Sequence, residues 1–271
     1  PRVIAYIATK LDRQKEGLLM QDLSGQIVMI TGASAGIGEA CARRFAERKA
    51  RLILVARRSD RLESLSRSLG VDTHLVELDV RDRTAVESAI AALPESWKAI
   101  DILINNAGLS RGLDRLHEGK IQDWEEMIDT NIKGLLYVSR TVIPGMVERG
   151  RGHIINIGSI AGREVYPRGS VYCATKHAVD ALTKGMRLDL IDSPVRVSTV
   201  DPGMVETEFS QVRFHGDDER ASQVYKGLRP LTGDDVADAV IWVADRPAHI
   251  TVGEVLILPT DQASTTSYNR K

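Results

Sequence analysis

Cysteine is scarce in this chain: Cys41 and Cys173 are the only two in 271 residues, and they share no CxxC or metal-ligand spacing. Two isolated thiols exclude a disulfide framework and give no reason to expect a metal site. They fit a reducing cytoplasm, each as a small buried hydrophobe. Long apolar runs are missing too, since none approaches the roughly 20 residues a membrane span needs. An excess of charge of either sign is also absent: 36 basic and 37 acidic residues leave a formal net charge of -1. Neither nucleic acid nor an anionic membrane is therefore expected as a partner. What remains is an ordinary globular composition, long enough to bury a full core.

Pro1 to Gln21 mixes Arg2, Lys10, Arg13 and Lys15 with a short apolar stretch at Val3–Ala8. That stretch is too short for a secretion signal with its cleavage site. Regular patterning begins after Met20, so residues 1–22 are expected to be an extension outside the core, packed loosely and not necessarily native to it. Residues 23–271 are then one domain. From Ile27 onward, short β-branched and aliphatic runs alternate with amphipathic helical stretches. The runs are Ile27–Ile30, Leu52–Val55, His74–Leu78, Ile100–Ile104, His153–Ile157, Val195–Val200 and Val255–Leu258. Consecutive apolar positions suit parallel strands covered on both faces. The helical stretches are Gly38–Arg48, Arg61–Leu69, Arg83–Leu93, Asp123–Val147, Val171–Ile191 and Asp234–Ala244. Repeated βα units predict an α/β fold: one Rossmann-type, doubly wound parallel sheet of about seven strands with helices on both faces.

Two stretches depart from this alternation. The connection from Pro202 to Pro230 is long, and such loops commonly cover a ligand, so a lid is expected near residues 203–230. The polar end from Pro259 to Lys271 is either a frayed tail or an arm reaching a neighbouring subunit.

The segment Thr31-Gly32-Ala33-Ser34-Ala35-Gly36-Ile37-Gly38 follows the first strand and opens the first helix. Its glycines permit a tight turn, and the helix N-terminus presents N–H groups to a phosphate. The spacing is G-x-x-x-G-x-G, and its position between strand and helix makes it a candidate dinucleotide site. At the end of the second strand, where NAD-binding folds place an acid for the ribose 2′-OH, stands Ala56-Arg57-Arg58. Guanidinium groups there suit a 2′-phosphate, with the Ser34 hydroxyl as a further donor, so NADP is the expected cofactor. The alternative for the two arginines is a solvated helix start. Asp79-Val80 ends the third strand, where Asp79 either accepts from an adenine amino group or caps the helix near Arg83. Asn105-Asn106-Ala107-Gly108 ends the fourth strand, its amides suited to satisfying backbone beside a ligand and its small residues leaving room for one.

Tyr172 and Lys176 lie one turn apart on a predicted helix, hence on one face. A phenol with a reference pKa near 10 is a poor base at neutral pH, and a neighbouring ammonium favours its phenolate. Proton exchange with an alcohol oxygen needs that change. Ser159 adds a hydroxyl just past the fifth strand. Asn131 interrupts the apolar pattern of the Asp123–Val147 stretch, where a polar amide needs a partner.

With these residues in place, the chain resembles the short-chain dehydrogenase/reductase family from about Leu23 to Pro259. The motifs TGASAGIG, NNAG, Asn131, Ser159, Tyr172-x-x-x-Lys176 and Pro202-Gly203 fall in the family's order. The resemblance implies Tyr172 as catalytic acid/base and Lys176 as the nicotinamide-ribose ligand that lowers its pKa. It further implies Ser159 as the group orienting the substrate oxygen and Asn131 as keeper of a proton-relay water. By the same resemblance Pro202, Gly203, Val205 and Thr207 contact the nicotinamide end.

The segment Thr207-Glu208-Phe209-Ser210-x-Val212-Arg213-Phe214-x-Gly216-Asp217, with Pro247–His249, is similar to the 3-hydroxy acid dehydrogenase subgroup. That similarity implies a small hydroxy or oxo acid substrate of the serine, allo-threonine or 3-hydroxybutyrate type, and a homotetramer. Such a substrate's carboxylate requires a cation. Arg213 in the expected lid is the first candidate, with Arg111, Arg163 and Arg168 competing. The alternatives are a carbonyl or 3-oxoacyl reductase of another substrate class and a non-enzymatic NADP-sensing protein. A sensor is expected to have a broken Ser–Tyr–Lys set, and here it is intact.

Overall fold

Every residue of the first strand is buried, because its side chains alternate between two apolar layers. Ile27 and Met29 enter one, and Val28 and Ile30 the other. The computed structural model describes residues 20–271, and the expectation for residues 1–19 lies outside the described residues. The strands are β1 (Ile27–Thr31), β2 (Arg51–Ala56), β3 (Thr73–Glu77), β4 (Ile102–Asn105), β5 (Gly152–Ile157), β6 (Val195–Pro202) and β7 (Glu254–Ile257). They form a seven-stranded sheet in the order β3-β2-β1-β4-β5-β6-β7, with every neighbouring pair parallel. The order reverses between β1 and β4, which opens a crevice beyond their carboxyl ends.

Helices cover both faces. On one side lie α1 (Gly36–Glu47), α2 (Ser59–Leu69) and α9 (Gly233–Ala244), and they enclose Leu52, Leu54, Ile102, Ile104 and Ile155. The other side carries α3 (Arg83–Ala91) and α5 (Leu135–Glu148) over Ile53, Val55, Leu103 and Ile154. Helices α4 (Ile121–Ile128) and α6 (Ser170–Asp189) stand beside the crevice. Cys41 and Cys173 are both free and fully buried, and burial pushes the Cys41 thiol up to about 12. That thiol packs as a small apolar group. No helix among the described residues is long and apolar enough to cross a membrane.

Four local outcomes differ from the sequence expectation. The helix expected over 123–147 is broken by a π-helical turn at Asp129–Gly134 between α4 and α5. Amphipathic periodicity cannot register one extra residue per turn, yet that widened turn carries Asn131, which bonds Leu109 behind the crevice wall. The long connection after β6 holds two short helices, α7 (Phe209–Arg213) and α8 (Asp218–Gln223). The C-terminal stretch is neither frayed nor directed outward, but folds back on its own chain. The Arg270 guanidinium donates to the carbonyls of Lys226 and Val224, and the Lys271 N–H to that of Gly227. Gln21, within the range expected to lie outside the core, is tied to it: its N–H donates to the Asp245 carbonyl, and its amide oxygen accepts from Arg196.

Phe45 is fully buried between α1 and the sheet. Replacing it with Ala should cost about 3–5 kcal/mol, the usual range for emptying a closed aromatic site. Urea unfolding would measure this, and a loss below about 1 kcal/mol would mean the site collapses or is not core.

Candidate functional site

The crevice begins at the Gly turn. Gly32 and Gly36 hold φ of +66° and +57°, a left-handed region in which a Cβ is strained. A Cβ on Gly38 would lie 2.3 Å from the Gly32 carbonyl oxygen, so Gly38 lets the turn close rather than facing the crevice. The turn is braced from β4. Thr31 Oγ1 accepts from the N–H groups of Asn106 and Ala107, both at 3.0 Å, and Asn106 Nδ2 donates to the Thr31 carbonyl at 2.9 Å. Asn105 turns the other way, donating at 2.9 Å to both Ser139 Oγ and Asn156 Oδ1 inside the sheet. Of the two adjacent amides, Asn106 lines the cavity and Asn105 is its internal anchor.

A single cavity of about 660 Å³ runs from this turn to the lid. Ser34, Gly36, Ile37, Arg57, Arg58, Asp79, Val80, Ala107 and Gly108 line its near half. Arg58 donates to Ser34 Oγ at 3.2 Å and pairs with Glu208 at 3.0 Å, and Arg61 reaches the same carboxylate. Neither Arg61 nor Glu208 is expected in the site from sequence, because a separation of 147 positions conceals the contact. Asp79 does not cap α3; Asp82 does, accepting from the Ala85 N–H. Asp79 instead grips Arg81 through both carboxylate oxygens, at 2.6 to 3.0 Å.

The far half is built on the ends of β5 and β6 and on α6. Tyr172 and Lys176 share one face of α6, as their spacing requires, and both are buried. Lys176 Nζ donates to the Ile157 carbonyl at 2.9 Å and lies 6.0 Å from the centre of the Tyr172 ring. Burial pushes its pKa down to about 8, with Asp201 opposing that shift. Burial also pushes the Tyr172 phenol up, while first the Arg213 guanidinium and then a bond with the Ser159 hydroxyl pull it back. Ser159 Oγ accepts from the Ala161 N–H at 3.1 Å, fixing the short turn Ile160–Gly162 that packs on α6. A Cβ on Gly162 would approach the Lys176 carbonyl oxygen to 2.7 Å, so that packing needs glycine.

Asn131 is enclosed by protein partners. Its amide accepts from the Leu109 N–H at 2.8 Å and donates to the Leu109 carbonyl at 2.8 Å and to Thr175 Oγ1 at 3.0 Å. The side chain therefore joins the β4 loop to α6. Pro202, Gly203, Val205 and Thr207 line the roof beyond β6.

Among the four arginines considered for a substrate acid, the structure separates one. Arg111 pairs with Glu126 at 2.7 Å, Arg163 is held by Asp201 and Glu254, and Arg168 does not line the cavity. Arg213 lines it and has no acidic partner among the described residues. Its guanidinium donates to Ser110 Oγ at 3.1 Å and to the Tyr166 hydroxyl at 3.0 Å. It sits 5.2 to 5.9 Å from the ring centres of Phe209, Tyr172 and Tyr166.

Lys176 also marks a pH dependence of folding. Its folded pKa of about 8 lies below the ordinary 10.5, so the unfolded chain binds this proton more tightly. Stability from this group should therefore rise as pH increases from about 8 towards 10.5 and be lowest below that window. In Lys176→Met this increment should vanish, which urea denaturation at pH 7.5 and 10 would detect; equal pH responses in both proteins would refute the assigned shift.

Residues 26–218 match the family model described as short chain dehydrogenase. A Salmonella typhi protein named NADP-dependent 3-hydroxy acid dehydrogenase YdfG is 50% identical over 238 residues, covering 88% of this chain and 96% of its own. A Schizosaccharomyces pombe NADP-dependent 3-hydroxy acid dehydrogenase is 41% identical over 257 residues, covering 93% and 99%. Among solved structures, the closed form of a serine dehydrogenase complexed with NADP+ superposes with a TM-score of 0.87 at 46% identity, covering 91% of this chain and all of that one. Serine dehydrogenase from Escherichia coli gives 0.78 at 43% identity, with coverage of 88% and 100%. The chain belongs to the short-chain dehydrogenase family, and its crevice is built accordingly.

Proposed function

We propose that this protein is an NADP-dependent dehydrogenase of small 3-hydroxy acids, of the serine, allo-threonine or 3-hydroxybutyrate type. The observation that carries the substrate class is the Arg213 guanidinium, set beside Tyr172 without an acidic partner among the described residues. A cation held among three rings loses much of its hydration, and a carboxylate can restore that charge balance with paired hydrogen bonds. The names of two of the relatives described above agree with this reading. Tyr166, Phe209 and Tyr225 line the lid end of the cavity together with Thr265, Thr266 and Tyr268.

The near half of the crevice fits NADP. N–H groups of the Gly32–Ile37 turn suit its pyrophosphate, and Ser34, Arg57 and Arg58 suit its 2′-phosphate. Asp79 and Val80 flank the adenine end; Ala107, Gly108, Pro202, Gly203, Val205 and Thr207 flank the rest. Bound NADP supplies the hydride acceptor, or in reverse the donor. Ser159 and Tyr172 hold the 3-hydroxyl oxygen between them. The Tyr172 phenolate takes the hydroxyl proton as hydride leaves the same carbon, and the product is the 3-oxo acid. Lys176 contributes a buried positive charge behind the tyrosine and a donor for a ribose hydroxyl. Asn131 positions Leu109 and Thr175 around these groups.

Tyr172→Phe keeps the ring and removes the proton carrier. Turnover of serine with NADP+ should fall about 10²- to 10⁴-fold while NADPH quenching still reports binding. Near-normal turnover with NADP+ bound would overturn the assignment. In the intact enzyme the same assay should favour NADP+ over NAD+ at least tenfold in kcat/KM, a margin expected to shrink in Arg58→Ala.

The protein is further proposed to be a cytoplasmic homotetramer. Ile121, Ile128 and Leu136 on α4 and α5, and Trp242, Ile250 and Leu256 around α9 and β7, are exposed in the single chain. Two separate apolar faces suit two different two-fold contacts. Light scattering on the purified protein should give four times the chain mass; a monomer at micromolar concentration would exclude it.

A further inference from the structure

Short-chain dehydrogenase chemistry needs a tyrosine that can exist as phenolate, and a buried phenol resists ionising. Lys176 is an incomplete remedy. Its Nζ is turned onto the Ile157 carbonyl, 6.0 Å from the tyrosine ring centre, and burial brings its own pKa down to about 8. As pH rises through that value the ammonium loses its charge, and with it the support it lends a phenolate. Arg213 approaches from the lid, its guanidinium carbon 5.4 Å from the ring centre, and a guanidinium does not deprotonate in this range.

From this geometry we propose that Arg213 is a second, permanent cation of the catalytic tyrosine, delivered by the lid, which stabilises its phenolate in addition to receiving the substrate carboxylate. The second part rests on the proposed substrate; the first does not. Arg213 ends α7, and two contacts anchor it over the crevice. The Gly112 N–H donates to the Arg213 carbonyl at 2.9 Å, and Arg111 donates to the Val212 carbonyl. Its Nε and one terminal nitrogen are held by Ser110 and Tyr166, which keeps the charge at a set distance from the ring. The other terminal nitrogen has no partner among the described residues. The lid thereby brings the charge that readies the tyrosine. In the proton transfer itself Arg213 acts through Tyr172.

The groups facing Tyr172 from each packed element are few. Lys176 and Cys173 come from its own helix, Ser159 from the turn after β5, Tyr166 from the segment before α6, and Arg213 and Tyr225 from the lid. Asp201 acts on Lys176 and is itself held by Arg163. Among these, Arg213 is the group whose positive charge persists at alkaline pH.

The test is the pH profile of kcat/KM for NADP+-dependent oxidation in the intact enzyme, Arg213→Gln and Arg213→Lys. Each is measured with serine and with the uncharged hydroxy ester methyl 3-hydroxybutyrate. Phenolate is the active form for oxidation, so removing a cation should move the acid limb to higher pH. The expected displacement in Arg213→Gln is about one pH unit or more with both substrates, the scale of losing one close charge. Arg213→Lys should keep the limb near its original place while KM for serine rises. An unmoved limb in Arg213→Gln with both substrates would overturn the proposal, even if KM for serine climbs. Should Arg213→Gln be inactive throughout, the alkaline phenolate absorbance of each background minus that of its Tyr172→Phe partner reads the Tyr172 ionisation directly: a midpoint raised in Arg213→Gln supports the proposal, and an unchanged midpoint overturns it. If serine is not oxidised by the intact enzyme but the ester is, the substrate proposal fails and the ester profile still decides this one.

Discussion

A buried ammonium without a direct carboxylate partner among the described residues is the constraint around which the reaction end is arranged. Lys176 is held by a main-chain carbonyl at the end of β5, so the position of that strand relative to α6 sets where the charge lies. The close approach depends on Gly162 against the Lys176 carbonyl and on Gly158, whose Cβ would collide with Asp201 at 1.9 Å. Asp201 lies beneath, balanced by Arg163, so the local field on the lysine is eased without a direct ion pair. A direct pair would hold the ammonium charged but shield it from the phenol.

The same economy extends through the sheet. Polar residues that look misplaced in an apolar strand satisfy one another across it: Asn105 bonds Ser139 and Asn156, and Asn156 donates to Thr183 on α6. These bonds lock β4, β5, α5 and α6 together just below the crevice. A half-satisfied network there would be costly, and Asn105 Oδ1 is its one orphaned amide atom among the described residues. Asn131 makes the corresponding link on the other wall, which explains why a π turn is tolerated there in the middle of a long helical stretch.

Lid and cofactor end are also joined. Glu208, at the start of α7, pairs with Arg58 and Arg61 on the adenosine side, while Arg213 at the other end of that five-residue helix stands by the tyrosine. One short element therefore touches both halves of the crevice. Surface pairs of this kind contribute little to folding, about 0–1 kcal/mol, so their consequence lies in placing the lid.

Strand runs, helix periodicity and the Gly turn carried the α/β order, because parallel strands buried on both faces leave continuous apolar runs and glycine marks turns directly. The i,i+4 spacing of Tyr172 and Lys176 likewise placed both on one face before any coordinates. Partners distant along the chain were not legible. Arg61 meets Glu208, Arg163 meets Asp201, and the C-terminal residues meet Val224 and Lys226, since sequence records no distance between segments. The four candidate arginines illustrate the division. Spacing alone put Arg213 first, in the lid, but left Arg111, Arg163 and Arg168 near strand ends as rivals; tertiary packing neutralised two of these, left Arg168 outside the cavity and set Arg213 uncommitted beside the tyrosine. Local patterning determines which elements form, but the charge state and reach of a side chain depend on what the fold packs against it.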